Sequence, residues 1–500
     1  MTRLRQGMTR WLMALALLLL TAGAGMAQDR FDLTVVFGEE ADTLDPHMTT
    51  LIVPETIQEN MFDRLVRISS TGEVVPHVAS SWEWVEPTRL RLVLREDVYF
   101  HDGTQLTADD VAYNFERVAN PDVASPIASR IPQVSEVEVV DPFTVDLLFA
   151  ETNAEALTAL ARLMIVPQHI VEEVGDEAFA QIPVGSGPFR FVEWQRGVHI
   201  LLEANDDYWG GRPEVDRAIF KNVPEAATRV AELRTGRADI VANIPPESAT
   251  DGPGYTIKTA PSTRRLFITM DSSRPPFDDV RVRQALNYAI DKEAIVEFIL
   301  GGHATQTNGY LGPNWDVEYD NDRQPYPYDP ERSRELLAEA GYENGAPFVF
   351  TYPVGRYPKD SEIGETVGAM LEEAGFQVEL DPKDPSTYAT MAFRELSLQV
   401  GLSQGTGFPT AEVTRNGYWN RGVSVRWFDD AQLLDMVEEA RTIVDDEERL
   451  ALLREIDEYV FEQAVFGFLF SYDDIWGVSN RIEWAPDPAT RTYLMDVSIR

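Results

Sequence analysis

FVFTYPVGRYPKDSEIGETVGAMLEEAGFQVEL, residues 348–380, reads as a strand, a helix and a second strand. Phe348–Tyr352 is a short apolar run, and Glu362–Ala374 is a helical stretch stopped by Gly375. Gln377–Leu380 resumes the strand pattern, which makes the segment a βαβ-like unit. Upstream, Asp329 as N-cap, Pro330 in the first turn and Gly341 beyond Leu336 and Leu337 bracket another helix. Val282, Ala285, Leu286, Ala289 and Ile290 follow helical spacing after a strand at Leu266–Met270. Downstream come a strand at Ser397–Val400, helices Ala431–Val444 and Glu447–Glu462, and a last apolar strand, Val465–Phe470. This half is α/β.

The first half is richer in strands. Phe31–Phe37, Leu90–Leu94, Val134–Val140 and Thr144–Phe149 read as strands, and Glu55–Arg67 as a helix carrying Ile57, Met61 and Leu65. Thr107 with Asp110 is a capping box ahead of Val111, Phe115 and Val118. A block from Gly185 to Ile244 mixes short strands with the helix Ala226–Thr235, and the pattern changes around Pro261. The fold class expected is therefore α/β (mixed α+β). A chain of 500 residues exceeds what one core of roughly 250–300 residues supports, so at least two lobes are expected.

Charge narrows the function. The chain has 43 Lys+Arg against 83 Asp+Glu, a formal net charge of −40 that disfavours nucleic acid and anionic membranes as partners. Arg3, Arg5 and Arg10 precede the apolar run Trp11–Leu20 and the small-residue site Gly25-Met26-Ala27, the layout of a secretory signal peptide over residues 1–27. The apolar run is about half the length that a membrane span needs. Taking three arginines from a chain of −40 leaves the mature protein at −43. With no cysteine it forms no disulfide and cannot be an N-terminal lipoprotein. A soluble periplasmic protein is expected.

Motifs for catalysis are missing. None of the five lysines follows a glycine, so there is no P-loop. The six histidines (His47, His77, His101, His169, His199, His303) are scattered, with no His-Glu-x-x-His. Gly185-Ser-Gly187 is too tight for a nucleophile elbow, and Asp320-Asn-Asp322 lacks the glycine of a calcium loop. No enzyme activity, cofactor or metal is expected.

The chain resembles the extracytoplasmic solute-binding proteins of ABC importers, family 5 (peptide-, nickel- and opine-binding). The blocks that carry this run in order through most of the mature chain. They are Thr43-Leu-Asp-Pro46, Glu59-Asn-Met-Phe-Asp-Arg-Leu-Val66 with Pro76-His-Val-Ala-Ser-Ser-Trp82, and Leu94-Arg-Glu-Asp-Val-Tyr-Phe-His-Asp-Gly-Thr104 with Leu106-Thr-Ala-Asp-Asp-Val111. Gly185-Ser-Gly-Pro-Phe189, Asn205-Asp-Asp-Tyr-Trp209, Leu233-Arg-Thr-Gly-Arg-Ala-Asp239 and the long block Pro276–Asp291 complete them. The resemblance implies a two-lobed periplasmic-binding-protein clamp (type II-like) with an extra N-terminal subdomain. Lobe I would be residues 28–263 plus 470–500, including an insertion at about 49–183, and lobe II 264–469. The chain would cross between lobes near Ser262–Arg265 and Phe468–Tyr472. Such a protein, a monomer, would close on a small polar ligand (peptide-like, opine-like or oligosaccharide) and hand it to a permease complex in the inner membrane. A secreted enzyme or chaperone on the same clamp, and a nickel or metal-chelate carrier, are the alternatives.

Three segments are candidates for the ligand site. The first is Thr43-Leu44. The second is Tyr352-Pro-Val-Gly-Arg-Tyr357, where Arg356 matches an arginine that takes the ligand carboxylate in dipeptide-binding relatives, with Tyr357 beside it. The third is Gly401–Pro409, read as a loop in which Ser403, Gln404 and Thr406 offer hydrogen bonds and Phe408, with Trp419 and Trp427, offers apolar cover. The loop Val123–Arg130 would close one end of the cleft. Peptide-binding members hold the ligand's α-amino group with an aspartate in the third segment, and Gly401–Pro409 has no acid. Plain peptides with free amino termini are therefore expected to bind weakly.

Overall fold

The computed structural model describes residues 30–69, 73–309, 322–406, 428, 430–443, 445–486 and 492–500. Strand β1 (Asp32–Phe37) sends Leu33, Val35 and Phe37 into one core and Val36 into another, as a strand covered on both faces must. A short helix, Ile52–Gln58, and the hairpin β2 (Val66–Ile68) and β3 (Val74–Pro76) follow. The helix is shorter than the expected Glu55–Arg67. Backbone groups of Asn60 and Met61 instead accept hydrogen bonds from Phe189 N (2.9 Å) and Gly187 N (2.8 Å). A Cβ at Gly185 would lie 2.0 Å from Met61 O, so the Gly185-Ser-Gly187 motif serves close backbone approach.

Strands β4 (Ala79–Glu86), β5 (Arg89–Leu94), β6 (Glu136–Asp141) and β7 (Thr144–Leu148) form a separate antiparallel sheet in the order β4-β5-β7-β6. Leu90, Leu92, Val145 and Leu147 pack there against Val111, Phe115 and Val118 of the helix Ala108–Ala119. That helix starts at the expected capping box, with Thr107 N donating to Asp110 Oδ2 at 3.0 Å. This insertion has its own core.

The chain then returns to the main sheet through β8 (Phe189–Gln195), β9 (His199–Ala204) and β10 (Arg217–Asn222). The helix Ala226–Arg234 leads to β11 (Ile240–Val241), and both β10 and β11 run parallel to β1. Next come β12 (Tyr255–Met270), the helix Val280–Tyr288 and β13 (Ala304–Gln306). The helix Pro330–Glu339 starts at Asp329, whose carboxylate accepts Arg332 N at 2.9 Å. The βαβ unit is β14 (Pro347–Pro353), the helix Asp360–Glu373 and β15 (Gln377–Lys383), with the strands parallel. Strand β16 (Val400–Thr406), helices Ala431–Ala440 and Asp446–Glu462, β17 (Phe466–Ser479), β18 (Ile482–Glu483) and β19 (Ser498–Ile499) finish the chain.

One sheet runs in the order β15-β14-β16-β12-β17-β11-β1-β10-β9-β8, with β13 on β17. On one face, its long central strands β12 and β17 serve two cores. Leu266, Ile268, Met270 and Phe470 pack with the βαβ unit, whereas Trp476 and Val478 pack with β1. Their antiparallel register is irregular between Pro261 and Arg265. Two further differences from expectation bear on the site. Gly401–Thr406 is strand rather than loop, because β16 pairs with β12 from Val400↔Met270 to Thr406↔Arg264. Strand β17 continues nine residues past Phe470, where the expected strand stops, to Ser479, through the Asp473-Asp474 doublet.

Among the described residues no helix is long and apolar enough to cross a membrane. Lys292 is 2% exposed, and its Nζ donates to Asn287 O (2.9 Å) and Tyr326 O (3.0 Å). Burial, opposed only by the charge of Asp291, pushes its pKa from 10.5 down to about 7. The unfolded chain takes up this proton below pH 10.5 and the folded chain only below about 7. This group's contribution therefore makes stability fall as pH drops through that window and level off below it. Lys292→Met should remove the slope. Between pH 10 and 7 the difference in unfolding free energy between the two proteins should change by on the order of 3 kcal/mol. Denaturant titrations at both pH values check this, and parallel profiles would contradict it.

Candidate functional site

Strand directions locate the site. In open α/β sheets ligands sit beyond the carboxyl ends of parallel strands, at the point where strand order switches. β1 lies between its parallel neighbours β10 and β11, and β14 lies between β15 and β16, so each is such a point. Both aim at one place. Ile244 N, just past β11, bonds Ile475 O at 3.0 Å, and Thr406 at the end of β16 pairs with Arg264. The carboxyl edges of both strand triplets thus face the stretch where β12 and β17 pass from one core to the other.

That stretch carries polar groups on one face of the sheet. Leu266 pairs with both Gln404 and Phe470, so alternation sets Arg264, Gln404, Tyr472, Asp474 and Trp476 on the same side. Arg264 forms an ion pair with Asp474, which is 4% exposed. Tyr472 donates its hydroxyl to Pro358 O at 3.1 Å. Gln404 Oε1, Asp474 Oδ2 and Trp476 Nε1 are buried without a hydrogen-bond partner. Together with the Arg264–Asp474 pair they make this stretch of the sheet polar. Asp473 lies on the opposite face, where burial and then the charge of Asp474 push its carboxyl up to about 6.

The loop after β14 is shaped by one carboxylate. Asp360 accepts backbone N–H groups from Gly355 (2.9 Å), Arg356 (2.7 Å) and Tyr357 (2.8 Å). Gly355 has φ +86°, which lets the chain turn back onto that carboxylate. Arg356 Nε donates to the Tyr357 hydroxyl at 3.2 Å. Burial raises the Tyr357 phenol, while Arg356 and the backbone of Gln404 act to lower it, so this loop and β16 are in contact. Arg356, Tyr357 and Gln404 are brought together, and Thr406 lies two residues on from Gln404, paired with Arg264. Ser403 is on the other face, buried beside Tyr388, whose hydroxyl donates to Leu402 O at 2.7 Å. Phe408, Trp419 and Trp427 lie outside the described residues.

The first segment does something else. Leu44 is fully buried in the β1 core, and its N–H donates to Ala180 O at 3.0 Å. Its side chain offers a solute no surface, which corrects its reading as a contact residue. Thr43 turns inward on its own loop, with its hydroxyl accepting Asp45 N at 3.1 Å and its carbonyl accepting Gln58 Nε2 at 3.2 Å. The Val123–Arg130 loop packs on this turn through Ser125 Oγ, which donates to His47 O at 2.5 Å. Sequence reasoning missed Arg264, Tyr472, Asp474 and Trp476. The signal for them was an acidic doublet inside an otherwise apolar run.

Among the described residues, no three His, Cys, Asp or Glu side chains are grouped to hold a metal ion. Residues 73–421 match the family described as bacterial extracellular solute-binding proteins, family 5, middle region. The glutathione-binding protein GsiB of Salmonella typhi is 31% identical over 344 residues, a match covering 67% of this chain and 66% of that protein. The match thus spans slightly less than two thirds of the relative's length. Heme-binding protein A of Haemophilus influenzae is 30% identical over 487 residues, covering 84% of this chain and 87% of that one. The solved structure of the ABC transporter substrate-binding protein CtaP from Listeria monocytogenes shares the fold, with a TM-score of 0.85 at 21% identity. It covers 94% of this chain and 100% of CtaP, so the mixed α/β architecture is that of a two-lobed periplasmic binding protein.

Proposed function

The chain belongs to the family 5 bacterial extracellular solute-binding proteins, and we propose that it is the substrate-binding component of an ABC importer. It captures a small polar solute between its lobes and delivers it to a membrane permease. The observation that carries this reading is the meeting of two carboxyl edges over a face with unpaired buried polar atoms. Lobe I comprises residues 28–263 and 470–500, with the insertion at about 49–183, and lobe II comprises 264–469. The irregular register between Pro261 and Arg265 supports a hinge there. Contacts also reach across. Ala154 N in the insertion donates to Arg441 O at 3.2 Å, and Arg449 Nη1 donates to Ala154 O at 3.3 Å. The protein works as a periplasmic monomer after loss of residues 1–27, and it binds rather than transforms its solute.

Arg356 supplies the site's charge for an anionic group of the solute. Asp474 is already balanced by Arg264, and residues 401–406 carry no acid, so a free ammonium group meets no spare counter-charge there. Plain dipeptides therefore bind weakly, and opine-like conjugates, N-blocked peptides or sugars bind better. Native mass spectrometry of the protein purified with its co-bound solute tests the capture reading. Thermal shifts then rank the classes. A solute at 100 times its Kd should stabilise the fold by about 2.7 kcal/mol. Strong stabilisation by unmodified dipeptides would overturn the specificity, and conversion of the solute at enzyme-like rates would overturn the transport role.

A further inference from the structure

The insertion is tied to lobe I at two places. Arg117, on its helix Ala108–Ala119, makes a buried ion pair with Asp45 in the turn after β1. At its root Gly187 N donates to Met61 O at 2.8 Å. With these ties and a core of its own, the insertion moves as one piece with lobe I. The helices Ala431–Ala440 and Asp446–Glu462 belong to lobe II in the same way, because Leu433, Leu453 and Ile456 pack with Phe267 of β12 and Phe468 of β17.

Between these two bodies the chain makes a short, directed contact. Ala154 uses both of its backbone groups, its N–H donating to Arg441 O at 3.2 Å and its carbonyl accepting Arg449 Nη1 at 3.3 Å. The turn that presents Ala154 is preset, since Asn153 Oδ1 accepts Glu155 N at 3.1 Å and Ala156 is fully buried in the insertion core. Across the gap, Arg441 ends the helix Ala431–Ala440, and the last carbonyls of a helix have no partner inside it. Ala154 N–H meets one of them. Arg449, in the first turn of the next helix, adds a charge-assisted bond. Ala154, Arg441 and Arg449 are all half-buried, so water competes only partly for these bonds. By contrast, the Lys359–Glu247 ion pair, which also joins the lobes, is 4.0 Å long with Glu247 64% exposed, and a pair of that kind contributes little. None of the three residues belongs to the Arg356 loop or to β16.

We propose that the insertion is a clasp on the clamp: by seating Ala154 between Arg441 and Arg449 it holds the lobes together and sets how readily they part. The proposal rests on the two-lobe, solute-capture reading and adds a task for the insertion. The chain has no cysteine, so Val198→Cys and Leu380→Cys give two sites for spin labels, 52% and 41% exposed, at opposite ends of the main sheet. Pulsed electron resonance then reads the distance between lobes in the full chain, unfolded and refolded beforehand to shed bound solute. The labelled parent should show mainly the shorter distance. Arg449→Ala, and Ala154→Arg, which sets a cation against two arginines, should each raise the ratio of long to short distances by on the order of fivefold. Glu247→Gln should change it by less than about twofold. Because the two variants lie on opposite sides of the contact, a folding defect in one does not imitate the result, and a response is required of both. Distances matching the parent's in either variant, a parent already spread to the long distance, or an equal response to Glu247→Gln would each overturn the clasp. Native mass spectrometry of the parent before refolding scores solute capture separately, so a chain that keeps its solute and ignores both variants overturns the clasp alone.

Discussion

Replacing Arg117 by alanine should lower the unfolding free energy by about 3–5 kcal/mol, the usual cost of removing one partner from a buried ion pair. Arg117 is 4% exposed and Asp45 is 0% exposed. Two nearly parallel bonds join them, Nη1 to Oδ1 at 3.1 Å and Nη2 to Oδ2 at 2.5 Å. Nη2 also reaches Asp176 at 2.7 Å, and Nη1 donates to His47 Nδ1 at 2.8 Å. Burial pushes the His47 imidazole down to about 4, so at neutral pH it is uncharged. With its Nδ1 accepting from Arg117, its Nε2 donates to Met164 O at 2.9 Å. Alanine strips Asp45 of its counter-charge and His47 of its donor while both stay buried. The double variant Asp45→Leu/Arg117→Met should recover much of the loss, since no unpaired charge remains. Arg332→Ala, which breaks the exposed Arg332–Glu335 pair, should leave the melting curve unchanged. Chemical denaturation of the four proteins decides the matter. A loss at Arg117 as small as at Arg332 would show that the network carries little stability.

The same network shows where sequence reading succeeds and where it stops. Thr107 with Asp110, and Asp329 with Pro330, announce their helices because both partners of each signal lie within one turn. The βαβ unit at residues 347–383 is equally local. Thr43-Leu-Asp-Pro46 looks like a polar turn free to touch a ligand. Its aspartate is instead spent on Arg117, 72 residues away, and its leucine on a core that only the fold assembles. Asp474 belongs to the same class of miss. The strand expected to stop at Phe470 runs on through Asp473 and Asp474, and Arg264, 210 residues earlier, meets Asp474. Residues 401–406 read as a glycine-rich loop because their strand partners are on β12. The choice of Arg356 rests on the resemblance of its segment to one in dipeptide-binding relatives, and only its place in a loop after a strand is legible in the residues themselves.

The largest functional effect is expected at that loop. Arg356→Ala should weaken binding of the co-purified solute, where it is anionic, by at least 100-fold, equivalent to about 2.7 kcal/mol. Arg356 Nε donates to the hydroxyl of the adjacent Tyr357 at 3.2 Å, a contact within the same loop. Arg356→Lys should recover little, since an ammonium cannot reproduce two parallel bonds to a carboxylate. Asp360 makes the argument sharper. Its carboxylate gathers the N–H groups of Gly355, Arg356 and Tyr357, so it fixes where the guanidinium starts. Asp360 is 3% exposed, and Asp360→Ala leaves three N–H groups without their acceptor. That variant should lose both affinity and stability, and more stability than Arg356→Ala does. Calorimetry and thermal melts on the two variants separate these outcomes. Unchanged affinity in Arg356→Ala removes the arginine from the site. A matching loss of stability there would mean that the guanidinium holds the loop rather than the solute.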